Sequence, residues 1–470
     1  MEKKFDVIII GSGPGGYPAA IRLAQAGRSV ALVEAKDVGG TCLNCGCIPT
    51  KALIANAETL SMVRRAQDFG IGVDGVHVHF DQMIKRKDDV VVRLRKSLEG
   101  LIQSNMVTIV RGFGKLISKN QVEVNGSSEK AILSASHIII ATGSEPKEIS
   151  AFAFDDHFIH SSTSILNLKM LPKKIAIVGA GVVGCEFASL YAELGTEVFL
   201  IEALPRILPL ESQAISQALM HLFTKRGIHV SVGTGVKDIE KRPEGITVVM
   251  QNQEKMSADI ALVAVGRALN SQNIGLDTAG VRVEKGAICV DETMQTNVPG
   301  IWAIGDVTAK SMYAHVASHQ GLVAAESILG HRARMNYDAV PGVIFTHPEI
   351  GTVGMNIETA KERGYDASVA AYPFQALGKA QAALQTEGFA QLVVDKKTGQ
   401  ILGGQVIGHE ASNLIATITL AITNELTIES ITETIHAHPT LSEAWLESAF
   451  LIQENPLHFP PKSKIGEKCK

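Results

Sequence analysis

The sequence predicts an α/β protein in which two similar strand–turn–helix units are followed by a separate α+β domain. A Gly-x-Gly-x-x-Gly pattern follows an apolar strand at residue 11 and again at residue 179, 168 residues later. After each pattern comes a helical stretch and then a strand that ends in an acid, eighteen residues past the last glycine. Beyond Val340 the pattern changes to long alternating segments and the helical stretch Ser412–Asn424, which indicates a domain of another kind.

The first unit runs from strand Phe5–Ile10 through Gly11-Ser-Gly13-Pro-Gly-Gly16 into a helix over Ala19–Ala26 and then strand Ser29–Glu34. In such a turn the first glycine permits the tight bend, the second lets a pyrophosphate approach the backbone, and the third lets the helix pack on the strand. The helix N-terminus adds free N–H groups and positive dipole. The unit is therefore predicted to be a Rossmann-like dinucleotide site, with Glu34 accepting from ribose hydroxyls.

The second unit has the same order: strand Lys174–Val178, Gly179-Ala-Gly181-Val-Val-Gly184, helix Cys185–Leu194 and strand Glu197–Glu202. A carboxylate at the end of that strand accepts from a ribose 2′-OH and repels a 2′-phosphate, so Glu202 favours NAD over NADP. Arg206, close by, works slightly against this preference. One copy of the pattern would be a weak indication, but two copies in matching surroundings are a strong one.

A third match, Gly70-Ile-Gly72-Val-Asp-Gly75, follows a helix-like segment and precedes the strand-like segment Val76–Phe80. That order is wrong for a phosphate-binding loop, and the match predicts only a turn.

Composition excludes several classes of protein. The chain has 470 residues, 46% apolar residues and a net charge of −4, which is typical of a globular protein and gives no indication of nucleic-acid or polybasic membrane binding. The N-terminus has only a four-residue apolar run before Gly11, and no stretch approaches the ~18–20 apolar residues of a membrane span. The protein is expected to be soluble and cytoplasmic, and six cysteines are too few for a secreted disulfide scaffold.

Three of the cysteines, Cys42, Cys45 and Cys47, fall within six residues, just past the first unit. A zinc site is disfavoured because it needs a second paired cluster, and the chain has no other Cys-x-x-Cys and no Cys-x-x-His. A redox disulfide fits better, but the pair is left open. In a regular helix residues three apart have Cα atoms ~5 Å apart and residues five apart ~8.6 Å. A disulfide needs ~4.4–6.8 Å, so regular geometry favours Cys42–Cys45, whereas Cys42–Cys47 requires a distorted turn, for which Gly46 offers latitude.

The chain resembles the flavoprotein disulfide reductases over almost its whole length. The redox segment of that family reads Gly-Gly-Thr-Cys-Leu-Asn-Val-Gly-Cys-Ile-Pro-Ser-Lys, and residues 39–51 depart from it only at Cys45 and Thr50. The resemblance implies that Cys42 and Cys47 form the redox disulfide. Cys45 is then an extra thiol, interpreted as a small buried apolar residue in preference to a competing partner in disulfide exchange.

Further segments carry the resemblance. They are Ala141-Thr-Gly-Ser144, Gly266-Arg267-Ala-Leu-Asn270, Ile304-Gly305-Asp306, Met312-Tyr-Ala-His315, Phe345-Thr-His-Pro-Glu349 and His436-Ala-His438-Pro439-Thr-Leu-Ser-Glu443. Leu269 replaces a proline that the family usually has. The resemblance implies FAD in the first unit and NAD in the second. The residues predicted for FAD are Gly11, Gly13, Gly16, Glu34, Thr41, Lys51, Gly114, Thr142, Gly143, Ser144, Asp306, Met312, Tyr313, Ala314 and His315, and those for NAD are Gly179, Gly181, Gly184, Glu186, Glu202, Val236 and Gly266.

The resemblance also implies the chemistry. A substrate thiol attacks Cys42 while His438, oriented by Glu443, takes its proton, and Cys47 passes electrons to the flavin. Lys51 is expected beside the flavin with Glu186 as its ion-pair partner, and the His438–Pro439 peptide is expected to be cis. The members it resembles most oxidise protein-bound dihydrolipoamide with NAD⁺, and their base comes from the other subunit of a homodimer. The implied partners are the lipoyl domains and acyltransferase core of 2-oxo acid dehydrogenase complexes.

Four domains are predicted: FAD-binding (1–149), NAD-binding (150–275), central (276–341) and interface or dimerisation (342–470). Two alternatives stay open, a disulfide reductase with another small substrate and a flavin-binding assembly subunit without catalysis. Glu202 disfavours the NADP-linked glutathione reductases. The mercuric and thioredoxin reductases expect a second C-terminal redox pair, whereas Cys469 stands alone. The tail Asn455–Lys470 is interpreted as an exposed extension.

Overall fold

A computed structural model of the chain describes residues 2–126 and 130–460. Its internal contacts group these residues into two compact units, residues up to 172 with 260–336, and residues 173–259 with those from 337 onward. This division is coarser than the four predicted domains, whose boundaries stay predictions. Cys469 and the end of the predicted C-terminal extension lie outside the described residues.

The first unit contains a mixed sheet that carries the first glycine turn. Its chain elements before residue 172 are, in order, β1 (Glu2–Ile10), α1 (Gly16–Gln25), β2 (Val30–Glu34), α2 (Gly40–Cys45), α3 (Cys47–Arg64), α4 (Phe80–Ser104), β3 (Thr108–Arg111), β4 (Phe113–Ser118), β5 (Gln121–Asn125), β6 (Lys130–Ile140), β7 (Ser144–Pro146) and β8 (Ile159–His160). The strand order is β3-β2-β1-β6-β5-β4. Strands β3, β2, β1 and β6 are parallel, so their carboxyl ends meet at one edge, where the first glycine turn lies.

The second unit begins with the other glycine turn. Its elements up to residue 259 are β9 (Lys174–Val178), α5 (Val182–Leu194), β10 (Glu197–Glu202), α6 (Gln213–Lys225), β11 (His229–Val232), β12 (Val236–Arg242), β13 (Gly245–Met250) and β14 (Lys255–Ala258). Strands β9, β10 and β11 are parallel neighbours, and β12, β13 and β14 form an antiparallel sheet. Both predicted strand–turn–helix units are therefore present.

The chain then returns to the first unit. The elements of this segment are β15 (Ile260–Val263), β16 (Arg267–Leu269), α7 (Leu276–Ala279), β17 (Val283–Glu284), β18 (Ala287–Ile288), β19 (Ile301–Ala303) and α8 (Ala314–Ile328). Strand β19 pairs in parallel with β6, and β16 pairs with β7. This segment therefore completes the sheet that carries the first glycine turn.

The C-terminal part of the second unit is the predicted α+β domain. Its elements are β20 (Gly342–Ile344), β21 (Glu349–Gly354), α9 (Ile357–Glu362), β22 (Ala367–Pro373), α10 (Gly378–Ala382), β23 (Phe389–Asp395), β24 (Ile401–Gly408), α11 (Ala411–Thr423), α12 (Ile428–Thr432) and α13 (Glu443–Ile452). The strands form an antiparallel sheet in the order β20-β21-β24-β23-β22. Trp445, fully buried, donates its indole N–H to the Leu414 carbonyl oxygen (3.2 Å) and so joins α13 to α11.

Two local features of the first unit concern helix starts. Pro18 is the third residue of α1, where its missing N–H breaks no helical hydrogen bond. The segment Val76–Phe80, predicted to be a strand from its alternation, is not one: its first residues form no regular element, and Phe80 begins α4 and buries its ring. None of the helices in the described part of the chain is long and apolar enough to cross a membrane.

Candidate active site

The first glycine turn has the geometry that a bound pyrophosphate needs. Gly11 has φ +103°, and a Cβ on Gly16 would lie 1.9 Å from the Gly11 carbonyl oxygen. The backbone of the turn itself therefore excludes side chains at both positions. A Cβ on Gly13, in contrast, would meet no atom nearer than 3.8 Å. The backbone at Gly13 is therefore accessible, which is the property that the second glycine of a dinucleotide turn requires.

Glu34 is held in place by the turn itself. Its carboxylate accepts from the Ser12 N–H (3.0 Å), the Ser12 hydroxyl (2.6 Å) and the Lys36 N–H (2.8 Å). These bonds fix the carboxylate at the carboxyl end of β2. Ser12 occupies Oε2 with two bonds, whereas Oε1 accepts only from Lys36 and keeps a lone pair for a ribose hydroxyl. The residues present fit a dinucleotide such as FAD. Ser12, which locks Glu34, was not singled out from the sequence because it occupies a variable position of the pattern.

The second turn repeats this geometry. Gly179 has φ +99°, and a Cβ on Gly184 would lie 1.9 Å from the Gly179 carbonyl oxygen, whereas a Cβ on Gly181 would have no neighbour within 4 Å. The Glu202 carboxylate accepts from the Ala180 N–H (2.7 Å) and the Leu204 N–H (2.9 Å). The turn therefore fits a second dinucleotide, and Glu202 is placed for the ribose contact that favours NAD.

Alanine at the two glycines of the second turn should separate folding from binding. Gly184→Ala is expected to lower the free energy of unfolding by about 1–3 kcal/mol, because its Cβ would overlap the Gly179 carbonyl oxygen. Gly181→Ala should leave stability near wild type and weaken NAD⁺ binding by roughly tenfold, because its Cβ points into open space where the pyrophosphate must approach. Denaturant unfolding and NAD⁺ titration of both variants check this, and equal stability losses would contradict it.

The remaining residues predicted for FAD all lie in the first unit. Thr41 is in α2, Lys51 in α3, Gly114 in β4, Thr142 and Gly143 between β6 and β7, Ser144 at the start of β7, Asp306 in the 3₁₀ turn Gly305–Thr308, Met312 and Tyr313 directly before α8, and Ala314 and His315 at its start. The Tyr313 and His315 rings stack with centroids 5.2 Å apart. The structure thus gathers these residues into one unit, and their contacts with FAD stay predictions.

Arg267 organises part of this region. Its guanidinium donates to the Ser144 hydroxyl (2.6 Å) and to the Ser144 carbonyl oxygen (2.7 Å), and it lies 3.6 Å from the Asp306 carboxylate. Ser144 in turn donates to Asp306 (2.5 Å). The neighbouring Gly266 was predicted for NAD, yet this segment pairs with the predicted flavin segment through β16 and β7. In the sequence, the only indication of a role for Arg267 is that it belongs to the segment Gly266-Arg267-Ala-Leu-Asn270.

The other residues predicted for NAD lie in the second unit, where Val236 begins β12 and Glu186 lies in α5. Glu186 is buried, and its carboxylate accepts from the Phe345 N–H (3.0 Å). This bond joins α5 to the connection between β20 and β21 of the C-terminal domain. The expected ion pair between Glu186 and Lys51 stays a prediction.

The cysteine segment is broken into two helices at Gly46. Cys42 lies in α2 and Cys47 is the first residue of α3, while Gly46 between them has φ −140° and ψ −109°, outside the helical region. The Gly46 carbonyl oxygen accepts from the Thr50 hydroxyl (2.7 Å) and N–H (3.1 Å). Cys42 and Cys45 therefore lie in one helix, but the regular-helix spacing that disfavoured Cys42–Cys47 does not apply across this break.

This break brings the Cys42 and Cys47 side chains together. The hydrogen bond to Cys47, followed by burial, raises the pKa of the Cys42 thiol far above its ordinary value, and the positive charge of Lys51 partly opposes that rise. The two sulfurs therefore lie close enough to affect each other. Cys47 begins an 18-residue helix, whose positive N-terminal end favours a thiolate. Tyr17, which the sequence did not single out, lies close enough for Cys42 to add to the effect of burial in raising the pKa of its hydroxyl.

His438 and Glu443 form a hydrogen-bonded pair at the start of α13. The His438 Nδ1 lies 2.8 Å from Glu443 Oε1, and Glu443 Oε2 accepts from the Thr440 N–H (2.8 Å). Burial tends to raise the pKa of Glu443, but the hydrogen bonds from His438 and Thr440 outweigh it and hold that pKa below its ordinary value. The charged carboxylate therefore fixes Nδ1–H as the donor and leaves Nε2 as the basic nitrogen. The His438–Pro439 peptide is cis, as expected.

Comparisons with known proteins agree with this geometry. Residues 5–321 match the family model of pyridine nucleotide-disulphide oxidoreductases, and residues 340–449 match the dimerisation domain of the same family, which supports the predicted homodimer. Dihydrolipoyl dehydrogenase of Chlamydia pneumoniae is 50% identical over 464 residues, covering 98% of this chain and all of the relative. Dihydrolipoyl dehydrogenase of Bacillus subtilis is 38% identical over 96% of this chain and 97% of the relative.

Solved structures give the same result. LpdA from Mycobacterium tuberculosis superposes with a TM-score of 0.90 at 26% identity, covering 94% of this chain and 99% of that one. The HOCl-induced flavoprotein disulfide reductase RclA from Escherichia coli has a TM-score of 0.85 at 29% identity, covering 95% and 100%. The predicted fold class is confirmed. The chain belongs to the pyridine nucleotide-disulphide oxidoreductases and, within that family, to the dihydrolipoyl dehydrogenases.

Proposed function

We propose that this chain oxidises protein-bound dihydrolipoamide to lipoamide with NAD⁺, through a disulfide between Cys42 and Cys47. The observation that carries the proposal is the contact between these two sulfurs across the break at Gly46. The family uses FAD and NAD, and the two glycine turns fit two dinucleotides. An oxidoreductase with both cofactors and two neighbouring sulfurs has the groups needed to transfer electrons from a thiol to NAD⁺.

The proposed thiol steps use the sulfur pair of the first unit and the His438–Glu443 pair of the second. One substrate thiol gives its proton to His438 Nε2, and its sulfur attacks Cys42, so the Cys42–Cys47 bond breaks and Cys47 leaves as a thiolate. The second substrate sulfur then attacks the first, closes the lipoyl disulfide and releases Cys42, and the proton of this second thiol passes to Cys42. The substrate has lost two electrons and the cysteine pair has gained them. The raised pKa of Cys42 matches this end state, in which Cys42 is the thiol and Cys47 the thiolate.

Lys51 and Glu443 support these steps. Lys51 lies one helical turn past Cys47, and its positive charge favours negative charge at the sulfur pair. Glu443 keeps the His438 ring in one orientation and stabilises the imidazolium that forms when the substrate proton arrives. Bound FAD would supply the acceptor for the electron pair of the reduced cysteines, and bound NAD⁺ would supply the final acceptor.

The partners and compartment follow from the same reaction. We propose that the homodimer serves the lipoyl domains and the acyltransferase core of a 2-oxo acid dehydrogenase complex, as the names of its relatives suggest. A cytoplasmic site is proposed because a reducing compartment suits a catalytic thiol pair.

The FAD-loaded homodimer should reduce NAD⁺ when it is supplied with dihydrolipoamide, and it should oxidise NADPH with glutathione disulfide far more slowly. Glu202 is the reason for the nucleotide preference, since it would repel the 2′-phosphate of NADPH. NADH and NADPH absorbance under matched conditions measure both reactions. A protein that binds FAD but forms no NADH from dihydrolipoamide would contradict the proposal and favour an assembly subunit.

A further inference from the structure

Helix α13 carries a second His–Glu pair, one turn beyond the first. Glu447 follows Glu443 by four residues, so the two carboxylates lie on the same face of the helix. The His458 Nδ1 lies 2.8 Å from Glu447 Oε1, and the His458 N–H donates to Glu447 Oε2 (3.4 Å). The Glu447 side chain is only 5% exposed, whereas 73% of the His458 side chain is exposed.

The segment that carries His458 is held on the C-terminal sheet. The Tyr372 hydroxyl donates to the His458 carbonyl oxygen (3.3 Å), and the Tyr372 and Phe459 rings meet edge to face with centroids 5.9 Å apart. Tyr372 belongs to β22 and is 1% exposed. His458 is therefore placed against α13 by contacts that do not involve its own imidazole.

The charges of the two pairs affect each other. The hydrogen bond and the charge of Glu447 raise the pKa of His458, and the charge of His458 is one of the influences that lower the pKa of Glu443. Burial, followed by the charges of Glu447 and Glu443, raises the pKa of Tyr372 to about 12. The charges of His438 and His458 both act on Glu443, and those of Glu443 and Glu447 both act on His458 and Tyr372.

We propose that His458 is a positioning residue for the His438–Glu443 pair, because its imidazolium cancels the charge of Glu447. His438 then experiences the charge of one carboxylate, that of Glu443, and not of two. The inference rests on the proposed role of His438 as the base of the reaction.

The consequence is a base that stays in its accepting form. A nearby negative charge stabilises an imidazolium, and a second uncancelled carboxylate would keep His438 protonated at higher pH. A protonated His438 cannot take the proton of the substrate thiol. By offsetting the charge of Glu447, His458 would limit the negative charge that acts on His438.

Three variants of the FAD-loaded homodimer test this charge argument. His458→Gln should raise the midpoint of the acid limb of kcat/KM by about half a pH unit, so that kcat/KM falls about threefold on the acid side. Glu447→Gln should leave the midpoint near wild type, because losing the carboxylate also lowers the pKa of His458 and removes its charge. In the double variant, the midpoint should lie closer to the wild-type value than it does in His458→Gln.

A second measurement needs no turnover. Diethyl pyrocarbonate reacts with neutral imidazole, so the pH dependence of its modification of His438, followed by peptide mass spectrometry, gives the pKa of that residue directly. His331→Gln is the matched control, because His331 is an exposed histidine paired with Glu326 (2.5 Å) in the first unit, and it should leave both readouts unchanged.

A merely structural role for His458 predicts a different result. The His458→Gln and Glu447→Gln variants would then both lose activity without a shift in midpoint, and the double variant would have the lowest activity. That result would overturn the inference. An unshifted His438 pKa in His458→Gln would overturn it as well. If wild-type protein forms no NADH from dihydrolipoamide but the His438 pKa still shifts as stated, the proposed function fails and the charge coupling stands.

Discussion

Cys47→Ser is expected to abolish dihydrolipoamide-dependent NAD⁺ reduction, since serine cannot form a bond to the Cys42 sulfur. The same change removes the negative charge that the Cys47 sulfur can carry, which is one of the effects that raise the pKa of Cys42. Cys42 should therefore react with iodoacetamide at lower pH in this variant than in the reduced wild-type protein. NADH formation and the pH dependence of alkylation measure the two effects separately.

Cys45→Val is the matched control for Cys47→Ser, because it removes another thiol of the same segment. Cys45 is the last residue of α2 and half-buried. Valine should keep activity near wild type, as expected of a residue that only fills space. Loss of activity in Cys45→Val together with its retention in Cys47→Ser would mean that Cys42 and Cys45 form the working disulfide.

His438→Gln is expected to lower kcat for dihydrolipoamide oxidation by roughly 10²–10⁴-fold, the usual contribution of a general base. Glu443→Gln should cost less, because the amide oxygen can still accept from Nδ1 but no longer stabilises an imidazolium. Stopped-flow reduction of the enzyme by dihydrolipoamide measures the affected step directly.

NADH oxidation by an artificial electron acceptor is the control for both dyad variants, because it requires no proton transfer from a substrate thiol. It should stay near the wild-type rate in both. Equal loss of the two activities would show that the variants damage the fold or the cofactor site, and would contradict a role as base.

The glycine turns and their acids could be predicted from the sequence because the constraint is local. Gly16 and Gly184 are required by their own carbonyl neighbours five residues earlier, and the terminal acids Glu34 and Glu202 follow at the same spacing in both units. Such requirements depend only on a short stretch of chain, so they can be recognised without knowledge of the rest of the fold.

The cysteine pairing could not be predicted in this way. Spacing in a regular helix favours Cys42–Cys45, and only the backbone at Gly46 reverses that preference. The sequence also could not predict that Arg267 connects Ser144 and Asp306, because these residues lie 123 and 39 positions from it in the chain. Val76–Phe80 failed for a related reason: its alternation is that of a strand, but Phe80 turns inward as the first residue of a helix.

The helix break at Gly46 also affects how much of the protein must move when the two cysteines are oxidised and reduced. Each of the two sulfurs is carried by its own helix, and they already lie within hydrogen-bonding reach in the thiol form. We expect oxidation to rotate the two side chains and shorten this contact while both helices and the Thr50–Gly46 bonds stay as they are. One backbone would then serve both oxidation states, and each cycle would reorganise only a few bonds around sulfur.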